Sequence, residues 1–304
     1  MKTHIHIISG FLGAGKTTFL KKMIPNLNGK VALIENEFGE IGVDGDLLEK
    51  SLPIKEIYAG CICCTVVQDF KGAIEELISV HQPDHIIIEP SGVGSLSDII
   101  KVSKMIAGKS EAAIEIQHVV TIVDVNAFED YLENFGSFYR DQIENAKVLF
   151  LSHLDQAADS DVEKAISKIR EINKRAYISR ENWHARDGET IIEVLDALKG
   201  LQMEHRENLD MVSADKVFTT VSIRRPKIFS KKELEATFVL LKQIAFGQIL
   251  RAKGFLSMDT DQGIYFDFTP HHQHWEYING KTERKLIFIG RNLQREKIIK
   301  TFQE

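Results

Sequence analysis

From residue 10 the chain reads Gly10-Phe-Leu-Gly13-Ala14-Gly15-Lys16-Thr17, directly after the β-rich run Thr3 to Ser9 and directly before the amphipathic stretch Lys16 to Met23. A strand, a glycine turn and a helix in that order leave few folds open. The glycines let the backbone curl so that successive N–H groups converge, and the helix adds its positive end. The product is a cradle for phosphate. The octet meets G-x4-G-K-[ST] without deviation. Lys16 is therefore expected to reach the β- and γ-phosphates of a nucleotide and the Thr17 hydroxyl to coordinate Mg2+. Gly10, Gly13, Ala14, Gly15 and Thr18 complete the expected nucleotide contacts.

Further β-rich runs follow at Val31 to Ile34, Ile54 to Tyr58, His85 to Ile88, Val119 to Val123, Val148 to Leu151 and Arg175 to Ile178. Amphipathic stretches such as Val67 to Val80 and Asp161 to Asn173 lie between them. Strands and helices that alternate this way indicate an α/β P-loop NTPase fold, a mostly parallel sheet flanked by helices. The segment from Leu201 is polar and without period. It divides the chain into a nucleotide domain over residues 1–200, a linker over 201–215 and a small α+β domain over 216–304. In the last, strands are expected at Val217 to Arg224, Gly254 to Met258, Gly263 to Phe268 and Leu286 to Ile289. Helices are expected over Lys231 to Phe246 and Arg291 to Phe302, a pattern compatible with a ferredoxin-like arrangement.

The run HIIIEPSG places Glu89 at the end of a buried strand, on the rim that carries the glycine loop. A carboxylate there can orient the attacking water or a water on Mg2+, and the Gly92 N–H can approach the γ-phosphate. Asp124, which ends TIVD, is a competitor for that role. After Val148 to Leu151 comes Ser152-His153-Leu154-Asp155, where P-loop GTPases usually carry Asn-Lys-x-Asp. Asp155 keeps the acceptor pair that suits guanine N1–H and N2–H, and adenine offers no matching donors. His153 could cover the base where lysine lays its stem, whereas Ser152 is too short to reproduce every contact of asparagine. The plain alternative is that Asp155 or Asp159 caps the next helix.

The only three cysteines are Cys61, Cys63 and Cys64. Three thiols within four residues cannot staple distant parts of a chain, so they are metal ligands or redox groups, or they face a core. Two sulfurs at C-x-C spacing can chelate one ion at the ~2.3 Å of a Zn–S bond. With no fourth cysteine, the tetrahedron is completed by Glu37, a histidine, water or a client protein, which is the pattern of an exchangeable site. Glu35-Asn36-Glu37-Phe38-Gly39 follows the second strand and would double as the switch that senses the γ-phosphate. Zn2+ is the default ion and Co2+ the next, since thiolates alone do not select. His271, His272 and His274 form a second possible ligand cluster, in which His272 and His274 would share a strand face. The metal reading is weaker for His4, His6 and His118.

A net charge of −6 argues against a nucleic-acid groove. No segment approaches the ~18–20 apolar residues of a membrane span, and the N-terminus is unlike a secretory signal, so a cytoplasmic protein is expected.

Taken together, GFLGAGKTT, NEFGEIGVDG, GCICC, EPSG, the DQI of residues 141–143 and the RRP, RAKGFL and FIGR runs resemble the CobW family of P-loop metallochaperone GTPases. The resemblance implies a GTPase of the nickel-, cobalt- and zinc-handling class that holds its metal, Zn2+ or Co2+ by the residue chemistry, near the nucleotide through Cys63, Cys64 and Glu37, with Cys61 in the same motif. No arginine finger is identifiable in the sequence, so slow turnover is expected. The resemblance also implies delivery of metal to a client metalloprotein or a metal-dependent cofactor pathway by a monomer or homodimer. SHLD in place of NKxD is the principal departure. Two rivals stand beside it: a nucleotide kinase or ATPase with incidental cysteines, and a non-catalytic metal-responsive adaptor.

Overall fold

The computed structural model describes residues 2–37, 52–58, 64–109, 113–200, 214–260, 262–278 and 283–303. At residues 37, 58, 64–68, 109, 215, 216 and 244 it describes the backbone. The described residues up to 200 form one unit and those from 214 a second. Most of the expected linker therefore lies outside the described residues.

The first unit runs β1 (Lys2–Gly10), α1 (Lys16–Met23), β2 (Val31–Glu37), β3 (Ile54–Tyr58), α2 (Cys64–His81), β4 (His85–Glu89) and α3 (Leu96–Lys109). It continues with β5 (Ala113–Asp124), α4 (Phe128–Asn134), α5 (Gly136–Glu144), β6 (Val148–Ser152), α6 (Asp159–Ile172), β7 (Tyr177–Ser179) and α7 (Gly188–Ala197). The sheet order is β3-β2-β4-β1-β5-β6-β7, and every pairing in it is parallel. Parallel strands covered on both faces need apolar residues at consecutive positions. In β4, Ile86 and Ile88 enter the cluster built with α2 and α3, while Ile87 enters the cluster on the other face with α1 and α7.

One direction for all strands has one consequence for function. The last residues of β1 to β6, namely Gly10, Glu37, Tyr58, Glu89, Asp124 and Ser152, share a single rim. β2 runs three residues beyond the expected Ile34, so Glu35, Asn36 and Glu37 belong to the strand instead of following it. Pairing on both sides keeps these polar residues in the ladder, with Glu35 in register with Glu89 and Glu37 with Tyr58.

The DQI triplet on α5 explains how the loop after β4 is held. Buried Asp141 accepts from the backbone N–H groups of Leu96 (2.7 Å) and Ser97 (3.1 Å), which satisfies the start of α3 from a helix 45 residues away in sequence. Gln142 Nε2 donates to the carbonyls of Gly92 (3.0 Å) and Gly94 (3.1 Å). Asp141→Ala strands one buried and one part-buried amide, which costs about 3 kcal/mol. The melting temperature followed by circular dichroism should fall by roughly 6–12 °C. An unchanged melt would contradict this capping role.

The second unit holds α8 (Ala214–Val217), β8 (Thr219–Arg224), α9 (Lys231–Leu241), β9 (Gln248–Ser257), β10 (Gly263–Phe268), β11 (Gln273–Ile278), β12 (Lys285–Arg291) and α10 (Arg295–Gln303). Its sheet order is β11-β10-β9-β12-β8, and β12 pairs antiparallel with both β8 and β9. This is a split βαβ unit extended by a meander, and not the double βαβ of a ferredoxin-like fold. Ser230 and Glu233 form a reciprocal capping box that starts α9, as the S-x-x-E spacing allows.

Several expected boundaries of this unit shift. β9 opens at Gln248, six residues before the expected Gly254, and closes at Ser257. Val217 ends a short helix and does not open β8. The helix expected to run to Phe246 ends at Leu241 and is followed by a separate 3-10 turn over Ile244–Phe246. Arg291 closes β12, and the final helix waits until Arg295, after the left-handed turn at Asn292. No described helix is long and apolar enough to cross a membrane.

Candidate nucleotide and metal rim

The glycine loop has the conformation its sequence demands. Gly13 and Gly15 take φ of 78° and 100°, left-handed values that a side chain would strain. Lys16 is buried and folds back over the loop, its Nζ donating to the carbonyls of Gly10 (3.0 Å) and Phe11 (3.4 Å). Phe11 anchors the loop from below. Its ring is packed among Tyr131 of α4, Tyr139 of α5 and Phe135 between them, with centroids 4.6–5.6 Å away. Ala14 is buried, Thr17 half-buried and Thr18 exposed at the start of α1.

Gly92 meets the loop directly. A Cβ added there would lie 2.6 Å from Leu12 Cδ2 and 2.9 Å from the Leu12 backbone nitrogen. Glu35 and Glu89 are buried neighbours in register at the rim end of β2 and β4. A hydroxyl at Thr17 with carboxylates at Glu35 and Glu89 is an all-oxygen donor set that suits Mg2+. Asp124, the competitor, is engaged in a turn, where its Oδ1 accepts from the N–H groups of Asn126 (2.9 Å) and Ala127 (3.4 Å).

On the other side of the loop, His153 has φ of 58°, and its Nε2 donates to the Gly13 carbonyl at 3.4 Å. Ser152 is buried at the end of β6. Asp155 lies exposed in a 3-10 turn, and α6 starts after Ala158 with no side-chain cap. Asp159 opens α6, as the plain alternative allowed for one of the two acids, but Ala158 holds the cap position and Asp155 lies before the helix.

Two rings that carry no sequence motif complete this side. Trp183 Nε1 donates to the Leu151 carbonyl (2.9 Å), and His184 stacks on Trp183 with centroids 3.8 Å apart. An added Cβ on Gly15 would lie 3.6 Å from both residues. Burial, reinforced by nearby His153, lowers His184 to about 4. The ring is therefore neutral at pH 7. No local pattern marks Trp183 and His184, because they reach the loop through the fold around β7.

Cys61 and Cys63 lie outside the described residues, as does the switch segment beyond Glu37. At Glu37 and Cys64 the backbone is described. Glu37 ends β2 in register with Tyr58, which ends β3 three residues before Cys61, and Cys64 opens α2.

Of the two histidines expected to share a strand face, His274 lies in β11 and His272 just before it. His272 precedes β11 in a tight turn with Thr269, donating its N–H to Oγ1 (3.0 Å) and accepting from the Thr269 N–H (2.7 Å). His274 is exposed, 3.8 Å from Glu276.

Comparison with known proteins finds a family match in each unit. The family described as CobW/HypB/UreG, nucleotide-binding domain, matches residues 4–180, and the cobalamin synthesis protein cobW C-terminal domain matches residues 218–304. A zinc chaperone CobW from Sinorhizobium sp is 42% identical over 127 residues, which is 39% of this chain and 35% of that relative. A zinc chaperone CobW from Pseudomonas aeruginosa is 26% identical over 98% of this chain and 90% of its own length. The crystal structure of Zn(II)-bound YjiA GTPase from E. coli aligns with a TM-score of 0.46 at 19% identity, covering 99% of this chain and 98% of that one.

Proposed function

The chain belongs to the CobW family of P-loop GTPases, and from that premise we propose that it hydrolyses GTP and couples the hydrolysis to delivery of zinc or cobalt from the Cys61-Cys63-Cys64 segment to a client metalloprotein or cofactor pathway. The observation that carries the reading is the shared rim. The phosphate loop leaves β1, Glu89 ends β4, and the strand ends at Glu37 and Tyr58 lead into the switch and cysteine segments from the same edge. Two ligands on one rim can bias one loop arrangement, which is the physical requirement for coupling.

In this reading Lys16 leaves its carbonyl partners and neutralises charge on the β- and γ-phosphates as the γ-phosphoryl passes to water. Glu89, fixed at the end of a central strand, orients that water, and the Gly92 N–H meets the γ-phosphate. Thr17, with help from Glu35 and Glu89, would hold Mg2+, which would supply further neutralisation of phosphate charge. On the base side Asp155 accepts from guanine while His153, backed by His184, covers the ring. Transfer to water gives GDP and inorganic phosphate. Cys63, Cys64 and Glu37 hold the metal cargo, with Cys61 beside them, in cytoplasmic protein. Release follows when loss of the γ-phosphate frees the Glu37 segment.

Phosphate release from Mg-GTP and Mg-ATP tests the base reading. GTP is expected to be turned over at least tenfold faster at subsaturating concentration, because adenine leaves the Asp155 acceptors without donors. Equal rates, or transfer to a small-molecule acceptor, would favour the kinase alternative.

A further inference from the structure

We propose that His4, His6 and His85 form a binding site for a divalent transition-metal ion of the zinc type, at the end of the sheet opposite the phosphate loop. His4 and His6 are two residues apart on β1 and so point to one face, and His85 on β4 is in register with His4. That face is the one carrying Ile8 and Ile87 of the cluster with α1 and α7. A His-x-His pair on one strand and a third histidine on its neighbour supply the three nitrogens used by open zinc sites. Two of the three rings already meet, whereas the three ligand nitrogens do not yet lie within 4.8 Å of one another, so the part-exposed His4 ring must turn inward to complete the set. His6 Nε2 lies 2.9 Å from His85 Nδ1, the His6 and His85 centroids are 5.1 Å apart, and His4 stacks on His85 at 5.8 Å.

One outer hydrogen bond orients a nitrogen. His85 Nε2 sits 3.0 Å from the Asn28 carbonyl, which can only accept, so Nε2 carries the proton and Nδ1 keeps its lone pair. Ligating histidines are held in this way, by a carbonyl or carboxylate on the far ring nitrogen. His4 Nδ1 stands 3.6 Å from the Glu115 carboxylate, too far for a hydrogen bond, so its ring is not fixed in the same manner. His6 donates Nε2–H to His85 and keeps Nδ1 buried with no hydrogen-bond partner.

Two nitrogens on a tetrahedral zinc at ~2.0–2.1 Å stand ~3.3–3.4 Å apart, so binding opens the His6–His85 pair by a few tenths of an ångström. The His6 proton moves from Nε2 to Nδ1, with no net proton release. Burial first, and the neighbouring rings second, keep His6 well below the usual imidazole range. It is therefore neutral at pH 7, the form that ligates. His4 and Glu115 are partly exposed and give a route from solvent. His6 lies four residues and His4 six residues from Gly10 along β1, roughly 13–20 Å, so the site is separate from the cysteine rim.

The test uses full-length protein with Cys61, Cys63 and Cys64 replaced by serine, so that the cysteine site cannot contribute. Titrated with Co2+ and followed by visible absorption, this protein should bind one ion with bands of nitrogen and oxygen ligands and no thiolate charge transfer. Adding His4→Gln or His85→Gln should weaken Co2+ at least tenfold, whereas His274→Gln should not. Absence of an ion, indifference to both substitutions, or loss with the His271 to His274 cluster instead would overturn the site. If the histidine variants fail to fold by circular dichroism, ring 15N spectra of the serine-substituted protein decide: zinc must shift His4, His6 and His85, and unmoved resonances overturn the proposal.

Discussion

Lys16→Ala is expected to lower GTP turnover by about 10²- to 10³-fold while leaving the first unit folded. The side chain makes two kinds of contribution, and the structure separates them. Its present bonds, Nζ to the carbonyls of Gly10 and Phe11, are local and neutral-acceptor contacts, each worth about 1–2 kcal/mol. The loop has a second anchor in the Phe11 ring among Tyr131, Phe135 and Tyr139, so its position does not depend on Lys16. The catalytic contribution is larger, because a preorganised cation aimed at charge that grows in the transition state is worth ~3–4 kcal/mol in a water-poor site. Single-turnover phosphate release and a thermal melt should therefore part company, with a large loss in the first and a small one in the second. Turnover within tenfold of the unsubstituted protein would remove Lys16 from the proposed chemistry.

Gly92→Ala should have the next largest effect, for a steric reason. The new methyl would stand 2.6 Å from Leu12 Cδ2 and 2.9 Å from the Leu12 nitrogen. The leucine tip can rotate away, but the backbone nitrogen belongs to the phosphate loop and cannot. The loop after β4 is also pinned from its other side, where Gln142 grips the Gly92 and Gly94 carbonyls. One of the two phosphate-facing segments must then move by several tenths of an ångström. Misplacement on that scale costs about 10- to 100-fold in kcat when geometry is the catalyst. Gln142→Ala in the same background should recover part of the loss by letting the β4 loop retreat. Unchanged turnover in Gly92→Ala would mean that this contact is not part of the working site.

How much could be read from residues alone follows the range over which each signal acts. β1, the glycine loop and α1 were legible because their cues are contiguous: a β-rich run, glycines where φ is positive, and a lysine at the helix start. The HIIIE strand was legible for the same reason, since burial on both faces writes itself as consecutive isoleucines. The polar end of β2 was not, because Glu35, Asn36 and Glu37 are kept extended by pairing with β3 and β4, chain neighbours only in the sheet. β5 reaches back to Ala113 for the same cause, through a half-exposed stretch that alternates Ile114 and Ile116 with polar residues. The roles of Asp141 and Gln142 were invisible although the triplet was noticed, because their partners lie about 45–50 residues away. His85 was read as strand material alone. Its meeting with His4 and His6 depends on a register between strands about 80 residues apart.

The measurement closest to the central claim is zinc affinity determined twice on the same protein, once with a non-hydrolysable GTP analogue and Mg2+ and once with GDP and Mg2+. Coupling between sites on one rim requires the two dissociation constants to differ, by about 5- to 150-fold if the linkage is of ordinary size. The tighter value should belong to the GTP analogue, and the difference should vanish when Cys63 and Cys64 are replaced by serine. Equal affinities in the unsubstituted protein would contradict the coupling and leave the nucleotide and the metal as independent tenants of one sheet edge.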